Sequence, residues 1–106
     1  MSMIIQSTRV YIEESWVAAQ IELKGKKIHS IFPYNTKKVD KDFSTDRIIP
    51  GFIDTHCHGA MGFDTNDVNP EGLRTWLKAA CDEGITALCP TTITQSEDVL
   101  IKALQN

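Results

Sequence analysis

Two histidines, His56 and His58, are the side chains of this sequence whose type and spacing best suit chemistry. Alternate residues of an extended strand project to the same face, so a strand containing both would aim both imidazoles at one point. Neutral imidazole nitrogens are good ligands for divalent transition metals. The spacing therefore predicts a metal site to which both contribute, although two exposed or hydrogen-bonded histidines in a turn would show the same pattern.

Several neighbours of this pair could support a metal site. Asp54 would share the strand face of the histidines, where it could orient a ring or accept a proton, or could instead bond backbone amides. Gly59 and Gly62 would let the backbone pass close to a ligand. Cys57 should point away from the histidines and is interpreted as a small core residue. The remaining histidine, His29, is interpreted as a surface residue.

A threonine-rich segment follows a second apolar run that ends at Pro90. The carboxyl ends of parallel strands face the active site in α/β barrels. Hydroxyls or amides of Thr91 and Thr92 could therefore contact substrate or support the metal ligands. Thr94 is interpreted differently, as the cap of a last helix in a capping box with Glu97.

The elements that position these residues change in type near Pro50. Before it, residues 9–12 and 16–23 predict strands, Lys24-Gly25-Lys26 predicts a hairpin turn, and residues 27–32 predict the partner strand. The second strand would place Ala19, Ile21 and Leu23 on one face and Gln20 and Glu22 on the other. The polar segment 33–44 is interpreted as a surface connection.

After Pro50 the patterns of strand and helix alternate. Residues 48–55 form a mostly apolar run, typical of a strand buried on both faces. Asn69-Pro70 predicts a helix start and Gly84 its end. Residues 85–89 predict a second buried strand, parallel to the first in a βαβ unit. The first helix would bury Leu73, Trp76, Leu77 and Ala80, and the last helix would carry Val99, Leu100 and Leu104.

Composition narrows the function classes. The chain has 106 residues, 42% of them hydrophobic, and a formal net charge of −3. No basic cluster predicts nucleic-acid binding, and no apolar run is long enough to predict a membrane partner. We find no signal-peptide pattern, and the 3 cysteines form no pairing motif, so we expect a cytoplasmic location.

The number of predicted strands raises a physical difficulty. Two parallel strands leave both sheet edges unpaired, and parallel sheets need both faces covered. We therefore expect an N-terminal fragment of a larger protein, inactive alone. The remainder of the same protein or a swapped copy would cover its edges, and we expect a homo-oligomer.

Residues 50–59, PGFIDTHCHG, resemble the first barrel strand of the amidohydrolase superfamily, which comprises metal-dependent hydrolases with a (β/α)₈ barrel and a small β-sandwich. The resemblance implies an α/β fold. Residues 1–49 would form part of the β-sandwich, and residues 50–106 would form the first two β/α units of an incomplete TIM-like barrel. Within the superfamily, residues 58–64 and 84–94 look most like the N-acetylglucosamine-6-phosphate deacetylases.

This resemblance implies hydrolysis of the acetamide of N-acetylglucosamine 6-phosphate to glucosamine 6-phosphate and acetate. It also implies one or two divalent metal ions (Zn, Fe, Mn or similar), with His56 and His58 matching an HxH motif that some members replace. The family's general acid/base and remaining ligands are absent from these residues, so we expect no catalytic residue here.

Two alternatives stay open. A dihydroorotase- or hydantoinase-like cyclic amidohydrolase usually carries an arginine or similar group shortly after HxH, whereas Ala60-Met61-Gly62 follows here. A non-catalytic β-rich interaction module would use its sheet edges to bind a partner.

Overall fold

A computed structural model describes all 106 residues as two compact units, Met1–Pro50 and Gly51–Asn106. Neither helix of the chain has the length and apolar character needed to cross a membrane. The structure is a mixture of α and β elements in which strands predominate. The first unit contains strands β1 (Ser2–Ile12), β2 (Ser15–Lys24), β3 (Lys27–Pro33), β4 (Lys41–Asp42) and β5 (Arg47–Ile48).

One sheet forms the first unit, in the order β3-β2-β1. Its three long strands are antiparallel, and β4 and β5 both pair in parallel with the outer edge of β1. The predicted turn is confirmed, with Gly25 at φ 59° between β2 and β3. The first strand is longer than residues 9–12, and the segment 33–44 contains β4 in addition to turns.

The apolar core of this unit lies on one face of the sheet. Val10, Ala19 and Ile21 are buried there, and other aliphatic side chains pack against them, namely Ile5, Ile12, Leu23 and Ile48. Ala19, Ile21 and Leu23 therefore share an apolar face, as their alternation predicts.

The opposite face holds a buried amide network. Gln20 is fully buried, and its Nε2 donates to Gln6 Oε1 and to the carbonyl of Lys37, both at 2.8 Å. Gln20 Oε1 accepts the N–H of Lys37 at 2.9 Å. The network continues through Gln6 Nε2 to Asn35 Oδ1 and Asp42 Oδ2. Because every amide group has a partner, burial of these polar side chains is tolerated.

The second unit contains β6 (Phe52–Cys57), β7 (Gly59–Ala60), β8 (Phe63–Asp64), α1 (Pro70–Asp82), β9 (Ile85–Pro90) and α2 (Glu97–Gln105). Strands β6 and β9 pair in parallel with α1 between them in sequence, which confirms the βαβ unit. Strands β7 and β8 form a short antiparallel hairpin.

The predicted apolar strand over residues 48–55 is interrupted. Ile48 belongs to β5, residues 49–51 are irregular, and β6 begins only at Phe52. Burial on both faces is wrong for this unit, since Phe52 is 56% exposed and Ile53 is 69% exposed. The reason is topological, because β9 is the one strand that pairs with β6. Strand β9 is likewise mostly exposed.

Helix α1 begins and ends where the sequence predicts. Asn69 caps it by accepting the N–H of Gly72 at 3.1 Å, and Gly84 follows at φ 85°. Trp76 and Ala80 are buried, whereas Leu77 is 38% exposed. The predicted apolar face of α1 is thus confirmed at Trp76 and Ala80, whereas Leu77 lies at its exposed edge.

The capping box predicted for α2 is wrong. The helix begins at Glu97 with Ser96 in the cap position, and no side chain bonds its first amides. The Ser96 hydroxyl donates to Asp98 Oδ1 at 2.6 Å instead, and this bond lowers the pKa of that carboxyl. Thr94 lies too early in the chain to act as the cap.

Candidate functional site

The two histidines lie side by side at the carboxyl end of β6. His56 is in the strand and His58 directly follows it, and both side chains are exposed. Their ring centroids are 5.0 Å apart and the ring planes are almost perpendicular, at 88°. The fold therefore brings together the two imidazoles that the sequence singled out.

Strand β6 does not keep a strict alternation before the histidines. Asp54 pairs with Leu88 and Cys57 pairs with Pro90, so β6 has one residue more than β9 between these pairs. Such an irregularity turns side chains away from their expected face. Asp54 and Cys57 accordingly line the same cavity of about 120 Å³ against α1, and neither histidine lines it.

Asp54 is consequently placed differently from the prediction. The expectation that it shares the face of the histidines is wrong, because of the irregular register of β6. Its Oδ1 accepts the backbone N–H of His56 at 3.1 Å, which was the alternative left open. The carboxylate therefore shapes the backbone that carries one of the two imidazoles.

His58 is held at both its ring and its backbone. Its Nδ1 lies 2.8 Å from the carbonyl oxygen of Thr91. A carbonyl oxygen only accepts, so Nδ1 is the protonated nitrogen and Nε2 of the neutral ring is left with a free lone pair. The His58 carbonyl accepts both the N–H and the hydroxyl of Thr65, at 2.6 and 2.8 Å. These bonds fix the ring with Nε2 available.

The threonines after β9 contribute through their backbone. The N–H of Thr91 donates to the carbonyl of Cys57 at 2.8 Å, which ties the end of β9 to the end of β6. The Thr91 hydroxyl donates to the carbonyl of Cys89 at 3.0 Å. Thr91 and Thr92 are both half-buried. For Thr91, the group that contacts a histidine is the carbonyl, not the hydroxyl or amide that the sequence suggested.

The glycines after the histidines have local conformational roles. Gly59 has φ 147°, and a Cβ there would lie 2.1 Å from the carbonyl oxygen of Phe63. Gly62 has φ 77° and follows Met61 at φ 57°, so the two form the tight turn between β7 and β8. The close approach at Gly59 is thus made by the chain itself.

Sequence reasoning missed Asn66. Its Nδ2 donates to the carbonyl of Ile93, and its Oδ1 accepts the N–H of the same residue, both at 3.1 Å. The sequence shows only a polar turn around Asn66, and nothing in it indicates a partner 27 residues away. No local sequence pattern therefore predicts the contact between Asn66 and Ile93, because it exists only in the folded chain.

The remaining metal-binding side chains do not gather around the pair. The structure contains no group of three His, Cys, Asp or Glu side chains arranged to hold an ion. His29 is an exposed residue of β3 in the first unit. The three cysteines, Cys57, Cys81 and Cys89, are free thiols.

Comparisons with known proteins show that the sequence belongs to one family. The sequence profile of the amidohydrolase family matches residues 47–106. The chain is 28% identical over 106 residues to an N-acetylgalactosamine-6-phosphate deacetylase of Escherichia coli O157:H7, covering 99% of this chain and 28% of that protein. It is 45% identical over 51 residues to an N-acetylglucosamine-6-phosphate deacetylase of Lysinibacillus sphaericus, covering 48% of this chain and 13% of the relative.

Solved structures share the fold. An N-acetyl-D-glucosamine-6-phosphate deacetylase mutant from Mycobacterium smegmatis, in complex with N-acetyl-D-glucosamine-6-phosphate, superposes with a TM-score of 0.90 at 17% identity, over 97% of this chain and 28% of that chain. The N-acetylglucosamine-6-phosphate deacetylase from Pasteurella multocida gives 0.86 at 20% identity, over 99% and 29%. The chain thus spans little more than a quarter of the length of these proteins.

Proposed function

Because the chain belongs to the amidohydrolase family, we propose that it supplies the N-terminal part of a metal-dependent deacetylase of amino-sugar 6-phosphates. The reaction is hydrolysis of the acetamide of N-acetylglucosamine 6-phosphate to glucosamine 6-phosphate and acetate. Support comes from relatives that carry the names of N-acetylglucosamine- and N-acetylgalactosamine-6-phosphate deacetylases.

The observation that carries the metal role is the separation of the two imidazoles. Nitrogens of two imidazoles on one tetrahedral zinc ion lie about 2.0–2.1 Å from the metal, which places the ring centroids roughly 5 Å apart. The centroids of His56 and His58 are 5.0 Å apart. An edge-to-face contact between rings has a similar separation, so metal titration decides between these two interpretations.

The donor set fits a divalent ion of the zinc or iron type. Neutral imidazole suits Zn, Fe and similar metals better than Mg or Ca. When bound, such an ion polarises a carbonyl oxygen and acidifies water. His58 contributes an oriented ring with Nε2 free, and Asp54 fixes the backbone at His56. A catalytic site takes about three protein ligands, so further ligands come from residues outside this chain.

The proposal also concerns the fold around the site. We propose that β6 and β9 are the first two strands of a (β/α)₈ barrel and that the first sheet is part of a β-sandwich. Exposed apolar residues on β6, Phe52 and Ile53, are then covered by the remainder of the same protein or by a swapped copy. A homo-oligomer in the cytoplasm, where free thiols persist, completes the proposal.

Acetate release tests the activity. The protein that includes this chain, loaded with Zn²⁺, is incubated with N-acetylglucosamine 6-phosphate and, separately, with the N-acetylgalactosamine epimer. We expect acetate from at least one of them, strong loss of activity in His56→Ala and His58→Ala, and full activity in His29→Ala. The 106-residue chain alone should release none. Absence of acetate with both substrates contradicts the proposal.

A cyclic amidohydrolase is the second candidate. One relative, named allantoinase, from Streptomyces avermitilis, is 30% identical over 90 residues, which cover 81% of this chain and 20% of that protein. Ring opening of allantoin, dihydroorotate or a hydantoin by the same zinc-loaded protein, without release of acetate from the sugar phosphates, would favour this candidate.

A further inference from the structure

Two loops of the second unit meet next to His58. Residues 65–69 connect β8 to α1, and residues 91–96 connect β9 to α2. The side-chain amide of Asn66 in the first loop forms two hydrogen bonds with Ile93 in the second, one to its N–H and one to its carbonyl, each of 3.1 Å. This paired contact, which we call the Asn66 clasp, is the one side-chain bridge between the loops.

We propose that Asn66 is a positioning residue for His58, in that its clasp on Ile93 holds the Thr91 carbonyl against Nδ1 of the His58 ring. This inference rests on the proposed metal-binding role of His58. It identifies the contact that keeps the proton on Nδ1, so that Nε2, the metal-binding nitrogen, carries none.

The chemistry of the clasp requires an asparagine. A primary amide presents a donor and an acceptor in one plane, and these match the N–H and carbonyl of a single backbone residue. Aspartate offers acceptors only, and alanine offers neither. Asn66 is half-buried, so water competes only in part for the bonds at Ile93.

The path from the clasp to the ring is short. Ile93 is two residues after Thr91, whose carbonyl oxygen lies 2.8 Å from Nδ1 of His58. Residues 91–96 form no helix or strand, so no regular ladder of backbone hydrogen bonds holds this segment. The N–H of Thr91 is bonded to the carbonyl of Cys57, which anchors the start of the loop. The clasp anchors the loop beyond Thr91.

The residue before Asn66 holds His58 from the other side. Thr65 is buried and bonds the His58 carbonyl through both its N–H and its hydroxyl. Adjacent residues of one loop therefore fix the backbone of His58 and, through Ile93, the acceptor of its ring. Ring orientation and tautomer are set together.

The test is the tautomer of His58, which nitrogen-15 NMR of the imidazoles reads directly. Spectra are recorded on the metal-free protein that includes this chain at about pH 8.5, where a free imidazole is neutral. We expect Nδ1–H in the original chain and a shift towards Nε2–H in Asn66→Ala. Asn66→Asp, which keeps the acceptor for the Ile93 N–H, should lie between them and serves if the alanine variant fails to fold.

Asn69→Ala is the matched control. Asn69 lies in the same loop and caps α1, so its loss weakens the helix without touching the clasp. We expect the Nδ1–H tautomer to persist in this variant. Persistence of that tautomer in Asn66→Ala or Asn66→Asp overturns the proposal, as does an equal change in Asn69→Ala.

Zinc titration separates this inference from the proposed function. Removing a group that orients a metal-binding histidine typically costs 10–100-fold in affinity, so we expect about a 10-fold weaker Zn²⁺ affinity in Asn66→Ala. If the protein that includes this chain binds Zn²⁺ no better than its His56→Ala/His58→Ala double variant, the metal role fails. The tautomer spectra still decide whether Asn66 positions the ring.

Discussion

The Nδ1 atom of His58 lies 2.8 Å from the carbonyl oxygen of Thr91, a residue 33 positions later in the sequence. This contact joins the carboxyl end of β6 to the segment that leaves β9. It leaves Nε2 as the nitrogen with a free lone pair. The parallel pairing of the two strands thus creates, at their shared end, an oriented ring suited to coordination.

Metal affinity should depend on both imidazoles. His56→Ala and His58→Ala should each weaken Zn²⁺ binding by more than about 10-fold, because each removes a ligand and not merely an orienting group. Isothermal titration of the protein that includes this chain measures this. His29→Ala, an exposed substitution on β3, should bind as the original does. Equal affinity in all four proteins would show that the ring pair is only an edge-to-face contact.

Gly59→Ala should strongly destabilise the second unit. The new Cβ would lie 2.1 Å from the Phe63 carbonyl oxygen, at φ 147°. We expect a loss of about 2–4 kcal/mol, since strain and a backbone clash add. Gly62→Ala is the control in the same hairpin, with φ 77° and open space, and should cost about 1–2 kcal/mol. Urea denaturation compares them, and equal losses would refute the steric explanation.

Gln20→Leu should destabilise the first unit although it makes the side chain more apolar. The substitution orphans the N–H and carbonyl of Lys37 and removes a donor to Gln6. The bond to Gln6 is buried and the two bonds to Lys37 are part-buried, and a group left without a partner there costs up to about 1–3 kcal/mol. Gln105→Leu, at an exposed amide, should change the urea midpoint little. A midpoint raised by Gln20→Leu would mean that hydrophobic burial outweighs the network.

The amide network should also make stability depend on pH. The Gln6 amide, together with the Ser44 N–H, lowers the pKa of Asp42 below its ordinary value of 3.8. A lowered folded-state pKa stabilises the fold above the unfolded-state value, and this contribution is lost as the pH falls through the folded-state value. Asp42→Asn should therefore lower the urea midpoint at neutral pH and match the original chain in strong acid. If the urea midpoints of Asp42→Asn and the original chain differ equally at every pH, ionised Asp42 is not the source of this stability.

The start of α1 provides a simpler test. Asn69→Ala removes the acceptor for the Gly72 N–H and should cost about 1 kcal/mol. Thr94→Ala should leave α2 unchanged, because Ser96 and not Thr94 precedes that helix. Circular dichroism during urea denaturation follows both variants. A loss of α2 in Thr94→Ala would contradict the structure and support the predicted capping box of Thr94 and Glu97.

Local sequence pattern determined those features that depend on neighbours in the chain. The turn at Gly25, the cap at Asn69, the end of α1 at Gly84 and the pairing of two parallel strands all follow from short-range chemistry or from periodicity. The nearness of His56 to His58 is of the same kind, since residues two apart in sequence are close neighbours whatever the rest of the fold does.

The tertiary structure decided what depends on partners far away in sequence. The pairing of β6 with β9, which is distant in sequence, sets the face of the sheet that each residue of β6 occupies. Because this pairing is irregular after Asp54, that residue lines the cavity against α1 instead of the face of the histidines. Burial of Gln20 required Lys37 and Gln6, and the Asn66 clasp required Ile93. A hydrogen bond to a distant backbone group leaves no periodic trace in sequence, so only the folded chain reveals what orients the His58 ring.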